Sequence, residues 1–201
     1  MSRNSHRFEA TDLALIAVFA ALIAVLSLVP TLFMVGAVPF AIQMIAVMLA
    51  PLVLGGWRGG AANALYVLVG VLGLPVFARQ SSGPAVLFGV SGGYLWGYIL
   101  GGFLAGALAT AVMRRRPRRA VLPLQLYLVA LVDMAVVYVC GIIGMMVNAG
   151  MSLTASLAVN GPLFAIDLIK AVIAVIIAVA VLTAFPRLMP APARQAAEVR
   201  R

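Results

Sequence analysis

Asn160-Gly161-Pro162-Leu163-Phe164-Ala165-Ile166-Asp167-Leu168-Ile169-Lys170 opens an apolar run that reaches Phe185. The run is long enough to cross a bilayer as a helix, and it carries a carboxylate and an ammonium three residues apart near one end. A charge at the centre of a bilayer costs about 2.5 to 3.5 kcal/mol on insertion scales, so such residues face a partner, a cavity or a bound solute. At i and i+3 the two side chains share one helix face. That face offers an acceptor and a donor at the mouth of an apolar bundle. Two readings stay open at this point: a self-satisfied ion pair, or a binding site.

The rest of the chain agrees with a lipid environment. Of its 201 residues 65% are hydrophobic and only 9% charged, against about 25% charged in an ordinary soluble domain. Mean hydropathy is +1.16. The apolar runs lack the alternation of a barrel strand, so an all-α integral membrane protein is expected, one membrane domain over residues 1–201. The formal charge of +9 does not indicate a nucleic-acid partner, because the arginines cluster in short segments between apolar runs, as cytoplasmic loops do. Cys140 is the only cysteine and lies within an apolar run, which excludes an intramolecular disulfide and argues against a metal site. His6, the single histidine, sits in the N-terminal tail.

Six spans are expected, at about 11–29, 40–54, 61–74, 93–113, 121–147 and 162–185, with tails at 1–10 and 186–201. Thr11-Asp12 reads as the cap of a retained first helix, in which Ala17 and Ala21 form a small-xxx-small pair suited to close helix approach, either within the bundle or on a partner subunit. Pro30 ends it, and a short loop with Gly36 and Pro39 leads to span two, where Gln43 needs a neighbour or ligand for its amide. Gly55-Gly56-Trp57-Arg58-Gly59-Gly60 reads as a tight cytoplasmic turn. Residues 74–91 form the longest loop, rich in Gly, Pro and Ser and suited to fold over a cavity, with Arg79 able to neutralise an anionic solute. In span four, Gly93, Gly97, Gly101, Ala105 and Ala109 recur every fourth residue and make a stripe for backbone-to-backbone packing. Arg114-Arg115-Arg116-Pro117-Arg118-Arg119 is a topology-setting loop. Span five holds a second intramembrane carboxylate, Asp133, with no assigned role, together with Tyr138. Residues 148–161 are expected as an uncharged loop.

With six spans, twelve arginines fall on the side of the tails and only Arg79 on the other, so both termini are expected in the cytoplasm and the Asp167–Lys170 site faces outward. No Gly-rich phosphate loop followed by Lys and Ser or Thr occurs, and nothing resembles a nucleophile beside a base or a metal-ligand cluster, so the chain reads as a binding or transport protein and not an enzyme.

Several blocks together resemble the BioY family of biotin-specific substrate-binding (S) components of energy-coupling-factor (ECF) transporters. They are Val38-Pro39-Phe40 with Gln43, Gly73-Leu74-Pro75-Val76-Phe77-Ala78, Gly92-Gly93-Tyr94-Leu95 with Gly97, Tyr138 with Gly141, and Asp167-Leu168-Ile169-Lys170, covering about residues 10–185 in order. The resemblance implies a compact six-transmembrane-helix bundle of the ECF S-component type. It would lie in the cytoplasmic membrane and capture biotin as transported ligand, with no cofactor, at its outer face. It would act with a membrane T component and two ABC-type ATPases, or in some members without them. It further implies Asp167 and Lys170 as ligand-binding residues and Ala17 and Ala21 as the docking face. Phe77 and Tyr94 would cover the bicycle, with Gln43 or Arg79 completing the hydrogen bonding. The chain departs from the family pattern at Ala165-Ile166, where Pro-Gly usually precedes the aspartate, and at Val90-Ser91, often Pro-Thr, which is expected to change backbone geometry at the pocket rim. Alternatives are an S component for a different vitamin, an ion-coupled secondary transporter using Asp133 and Asp167, and a structural membrane subunit.

Overall fold

The apolar runs become six α-helices in a computed structural model that describes residues 10–29, 34–35, 38–39 and 42–190. Outside the described residues lie His6, Gly36, Phe40 of the Val38-Pro39-Phe40 block, and the tail arginines Arg3, Arg7, Arg194, Arg200 and Arg201. The helices are α1 (Ala10–Ser27), α2 (Met44–Leu54), α3 (Gly56–Val71), α4 (Gly92–Arg114), α5 (Leu122–Ala149) and α6 (Leu153–Ala184). Between α1 and α2 the backbone makes a two-residue antiparallel ladder of β1 (Met34–Val35) with β2 (Val38–Pro39).

Four helices, α1, α4, α5 and α6, are long and apolar enough to span a bilayer. At 1.5 Å per residue, α2 is only about 16 Å long. It does not need to match the lipid thickness, because from Ala46 to Leu54 every residue is buried by protein. It forms the core against which α1, α3, α4 and α6 pack.

Residues without side chains set how closely α4 is held on both sides. Toward α5, a Cβ on Gly93 would fall 2.2 Å from the Cys140 carbonyl, on Gly97 2.7 Å from Val137 Cα, and on Gly101 2.3 Å from Asp133 Oδ1. This is the expected stripe, and Ala105 and Ala109 continue it fully buried. A second small face, of Gly102 and Gly106, meets α3. A Cβ on Gly102 would lie 2.6 Å from Asn63 Nδ2, and one on Gly106 2.2 Å from the Gly56 carbonyl.

Three local expectations change. The Gly55–Gly60 turn shrinks to Gly55, at φ 61, and α3 starts at Gly56. Gly59 and Gly60 are helical because they let Pro51 and the Phe103 ring sit where a side chain would be. Thr11 and Asp12 lie inside the first turn of α1, and Asp12 accepts from Arg58 at 3.0 Å instead of capping the helix. The expected loop at 148–161 is mostly helix. Gly150 ends α5 in the left-handed conformation, and α6 begins at Leu153, where Ser152 Oγ accepts from Ala155 N at 3.2 Å. Pro162 therefore sits inside α6 and not at its start. A proline removes one backbone donor, which membrane helices tolerate when neighbouring groups compensate. Asp167 and Lys170 consequently occupy the middle of a 32-residue helix, not its mouth.

Candidate functional site

One cavity of about 80 Å³ opens where α2 to α6 and the 74–91 segment converge. α6 contributes Asp167 and Lys170, both buried, with Lys170 Nζ 2.7 Å from Asp167 Oδ1. Tyr138 of α5 donates to Asp167 Oδ2 at 2.9 Å, so each oxygen of the carboxylate has its own partner. α4 presents Tyr94 and Tyr98, four residues apart on one face. Tyr94 Oη donates to Asn160 Oδ1 at 2.5 Å, and the Asn160 amide donates back to the Ser156 carbonyl of its own helix at 2.7 Å. The Tyr138 ring meets Tyr94 and Phe164 edge to face, at centroid distances of 6.3 and 5.5 Å.

On the opposite wall Gln43, at the entry of α2, donates from Nε2 to Tyr98 Oη at 3.2 Å, and its Oε1 lies 3.5 Å from Tyr66 Oη. Its amide sits between two tyrosine hydroxyls. The Tyr66 hydroxyl donates to the Val76 carbonyl at 3.0 Å, the same carbonyl that Ser27 of α1 reaches. Val76 and Phe77 are thereby tied down from two helices. The Phe77 ring packs edge to face on Tyr66 at 5.7 Å, in a space that exists because residue 70 is glycine: a Cβ there would lie 2.3 Å from the ring.

The long loop does fold over the cavity, with Phe77, Ala78, Ser81 and Val86 lining it. It contains two 3-10 turns, Ala78–Gln80 and Pro84–Phe88, and is pinned to the end of α3 by a bond from Gly83 N to the Gly70 carbonyl at 2.8 Å. Of the six residues expected to bind solute, Asp167, Lys170, Tyr94, Gln43 and Phe77 line the cavity. Arg79 does not; it occupies a left-handed position in the first 3-10 turn, φ 59. Ser91, at one departure from the family pattern, also lines the cavity, while Ala165 and Ile166, at the other, continue the regular helix. Ala17 and Ala21 lie far from this wall, on the exposed face of α1 with Ala14.

The sequence reading assigned no binding role to three of the lining tyrosines. Tyr66, Tyr98 and Tyr138 turn their hydroxyls onto the polar groups of the cavity. Tyr98 was recoverable, since it is one helical turn from Tyr94. The roles of Tyr66 and Tyr138 depend on how α3 and α5 are rotated in the bundle. Among the described residues no group of three or more His, Cys, Asp or Glu side chains is placed to hold a metal.

The BioY family profile matches residues 1–187. The biotin transporter BioY of Rhodobacter capsulatus is 33% identical over 177 residues, 83% of this chain and 90% of that protein. The biotin transporter BioY of Rhizobium etli is 33% identical over 185 residues, 90% of this chain and 98% of its own. A crystal structure of the S component for biotin from an ECF-type ABC transporter has the same fold, with a TM-score of 0.78 at 24% identity over 91% of this chain and 95% of that one. With the profile running through the cavity residues of α2 to α6, the chain belongs to the BioY family.

Proposed function

We propose that this protein is a biotin transporter subunit, not an enzyme, which captures biotin in the cavity under the 74–91 segment as the S component of an ECF-type system. The observation that carries this reading is the buried Asp167–Lys170 pair turned into a tyrosine-lined cavity in a chain whose BioY relatives are named biotin transporters.

Biotin suits these groups. Its ureido ring offers two N–H donors and a carbonyl, its thiophane ring is apolar, and its valerate ends in a carboxylate. Asp167 accepts from a ureido N–H, and Lys170 donates to a ligand oxygen. Phe77, Tyr94 and Leu95 cover the bicycle, and Gln43 adds a hydrogen bond. The pair and the Tyr138 hydroxyl satisfy one another, which avoids the several kcal/mol that an unpaired buried charge costs. The 74–91 segment covers this space, and the tie at Val76 is where that segment is held.

The outward-facing, inner-membrane orientation is supported by where the arginines meet. Arg58 pairs with Asp12, Gly56 N donates to Thr110 Oγ1 at 2.7 Å, and Arg116 reaches Met189 and Pro190. The start of α1, the α2–α3 joint, the α4–α5 loop and the end of α6 thus share the end of the bundle remote from the cavity. Cationic ends of this kind stay in the cytoplasm. A T component and two ABC-type ATPases are the expected partners, and the exposed α1 face of Ala14, Ala17 and Ala21, flanked by Leu13 and Val18, is a surface on which another helix can approach closely.

Titration of the purified protein with biotin and a panel of other vitamins tests the reading. Binding of biotin alone is expected. Binding of another vitamin in its place would assign a different S component, and uptake that needs only a proton gradient would favour an ion-coupled transporter.

A further inference from the structure

A second cavity, of about 230 Å³, lies at the opposite end of the bundle, where the α4–α5 loop meets the start of α5 and the end of α6. From Tyr98 to Met113 along α4 the two cavities are separated by about 22 Å of helix. Its walls are of two kinds. Met113 and Leu182 are buried and apolar, with Leu122 partly buried beside them, while Arg116 and Arg119 stand at the rim. Arg116 takes a left-handed backbone conformation, φ 49, and its guanidinium crosses to the end of α6, donating to Met189 Sδ at 3.0 Å and to the Pro190 carbonyl at 3.2 Å. The rim is thus a positioned cation and not only a loop charge.

No carboxylate among the described residues offsets the five arginines of this loop. Asp12 is paired with Arg58, Asp167 with Lys170, and Asp133 is buried between α4 and α5. The three helix ends that frame the cavity mark the boundary between apolar span and polar loop, and just below it Leu124 and Leu128 of α5 are more than half exposed. A ligand matched to this place has a negative headgroup for Arg116 and Arg119 and an apolar body that continues along α5. Basic pockets between membrane helices recognise anionic lipids in this way. A soluble phosphate matches only the rim.

We propose that this cavity binds the phosphate headgroup of an anionic membrane phospholipid, with Arg116 and Arg119 on the phosphate and Met113, Leu122 and Leu182 against the glycerol and upper acyl chain. The site does not depend on the solute carried in the outer cavity.

The test is thermal unfolding of the delipidated full chain in neutral detergent with added phosphatidylglycerol, phosphatidylcholine or inorganic phosphate. Phosphatidylglycerol is expected to raise the midpoint by about 5 °C at saturating lipid. The other two additives should leave it in place. The Arg116→Gln/Arg119→Gln variant should lose that shift and still bind biotin, whereas Arg114→Gln/Arg115→Gln, which changes the same net charge outside the cavity, should keep it. An equal response to phosphatidylcholine, a full response to inorganic phosphate, or equal loss in both double variants overturns the proposal. If the first variant does not fold, Arg119→Gln alone carries the same comparison, since Arg119 makes no side-chain hydrogen bond among the described residues.

Discussion

Asp133 and Asp167 are buried carboxylates on neighbouring helices of one apolar bundle, and their surroundings are opposite. Asp167 has Lys170 on one oxygen and Tyr138 on the other, and it borders a cavity. Asp133 is wholly buried against Gly101, lines no part of that cavity, and neither of its oxygens has a hydrogen-bond partner among the described residues. Burial of an acidic group is therefore not by itself a mark of a binding site. What distinguishes Asp167 is a counter-charge plus adjacent space, an arrangement a ligand can enter and exploit. Asp133 is enclosed by packing, and the space beside it belongs to the α4 backbone.

The contrast can be broken in order of expected effect. Gly101→Leu drives a side chain into Asp133 and parts α4 from α5, so loss of monodisperse protein is expected, whereas Gly161→Ala, with open space around its Cα, should purify normally. Equal yields for the two would show that the close contact at Asp133 is dispensable. Asp167→Asn removes the charge that Lys170 pairs with and should weaken biotin binding by ~10² or more in a titration; unchanged affinity would remove Asp167 from the site. Tyr138→Phe deletes one hydrogen bond to a charged group, worth about 1.5 to 3 kcal/mol, so a loss of at least about tenfold in biotin affinity is expected. A wild-type titration curve would mean that Tyr138 does not hold the carboxylate in the bound state.

Smaller effects sharpen the same comparison. Arg79→Gln should alter biotin affinity by at most about fivefold, as for an exposed charge outside the cavity. A loss near that of Asp167→Asn would bring Arg79 into the bound site through movement of its loop. Asp133→Asn comes last. Asp133 lines no part of the cavity and shares no hydrogen bond with a lining residue, so biotin affinity should stay within about twofold. The unfolding midpoint should change little, because Asn is close to isosteric with Asp and no hydrogen-bond partner among the described residues is lost. A large loss of uptake with binding intact would instead give Asp133 a part in ion coupling.

Much of this was legible before any coordinates. Composition and run length decide a helical membrane protein. The four-residue spacing from Gly93 to Ala109 names the contact face of α4, and the three-residue spacing of Asp167 and Lys170 places them on one helix face, because these properties are local to one helix. Lengths near breakers were less legible. Gly161-Pro162 reads as a start, yet α6 runs from Leu153 through the proline, and Gly59 and Gly60 read as a turn yet are helical, since the packing of Pro51 and Phe103 outweighs propensity.

The chain by itself thus determined that it is an apolar, all-helical membrane protein, which face of α4 is bare and which acid and base travel together. Only the tertiary structure decided that Asp167 faces a cavity while Asp133 faces backbone, that Tyr66, Tyr98 and Tyr138 complete the wall, and that Arg79 stays off it. The reason is geometric. Which polar side chains meet depends on the rotation and depth of each helix against its neighbours. Those are set by the summed fit of small-residue contacts along several helices at once, which no single stretch encodes.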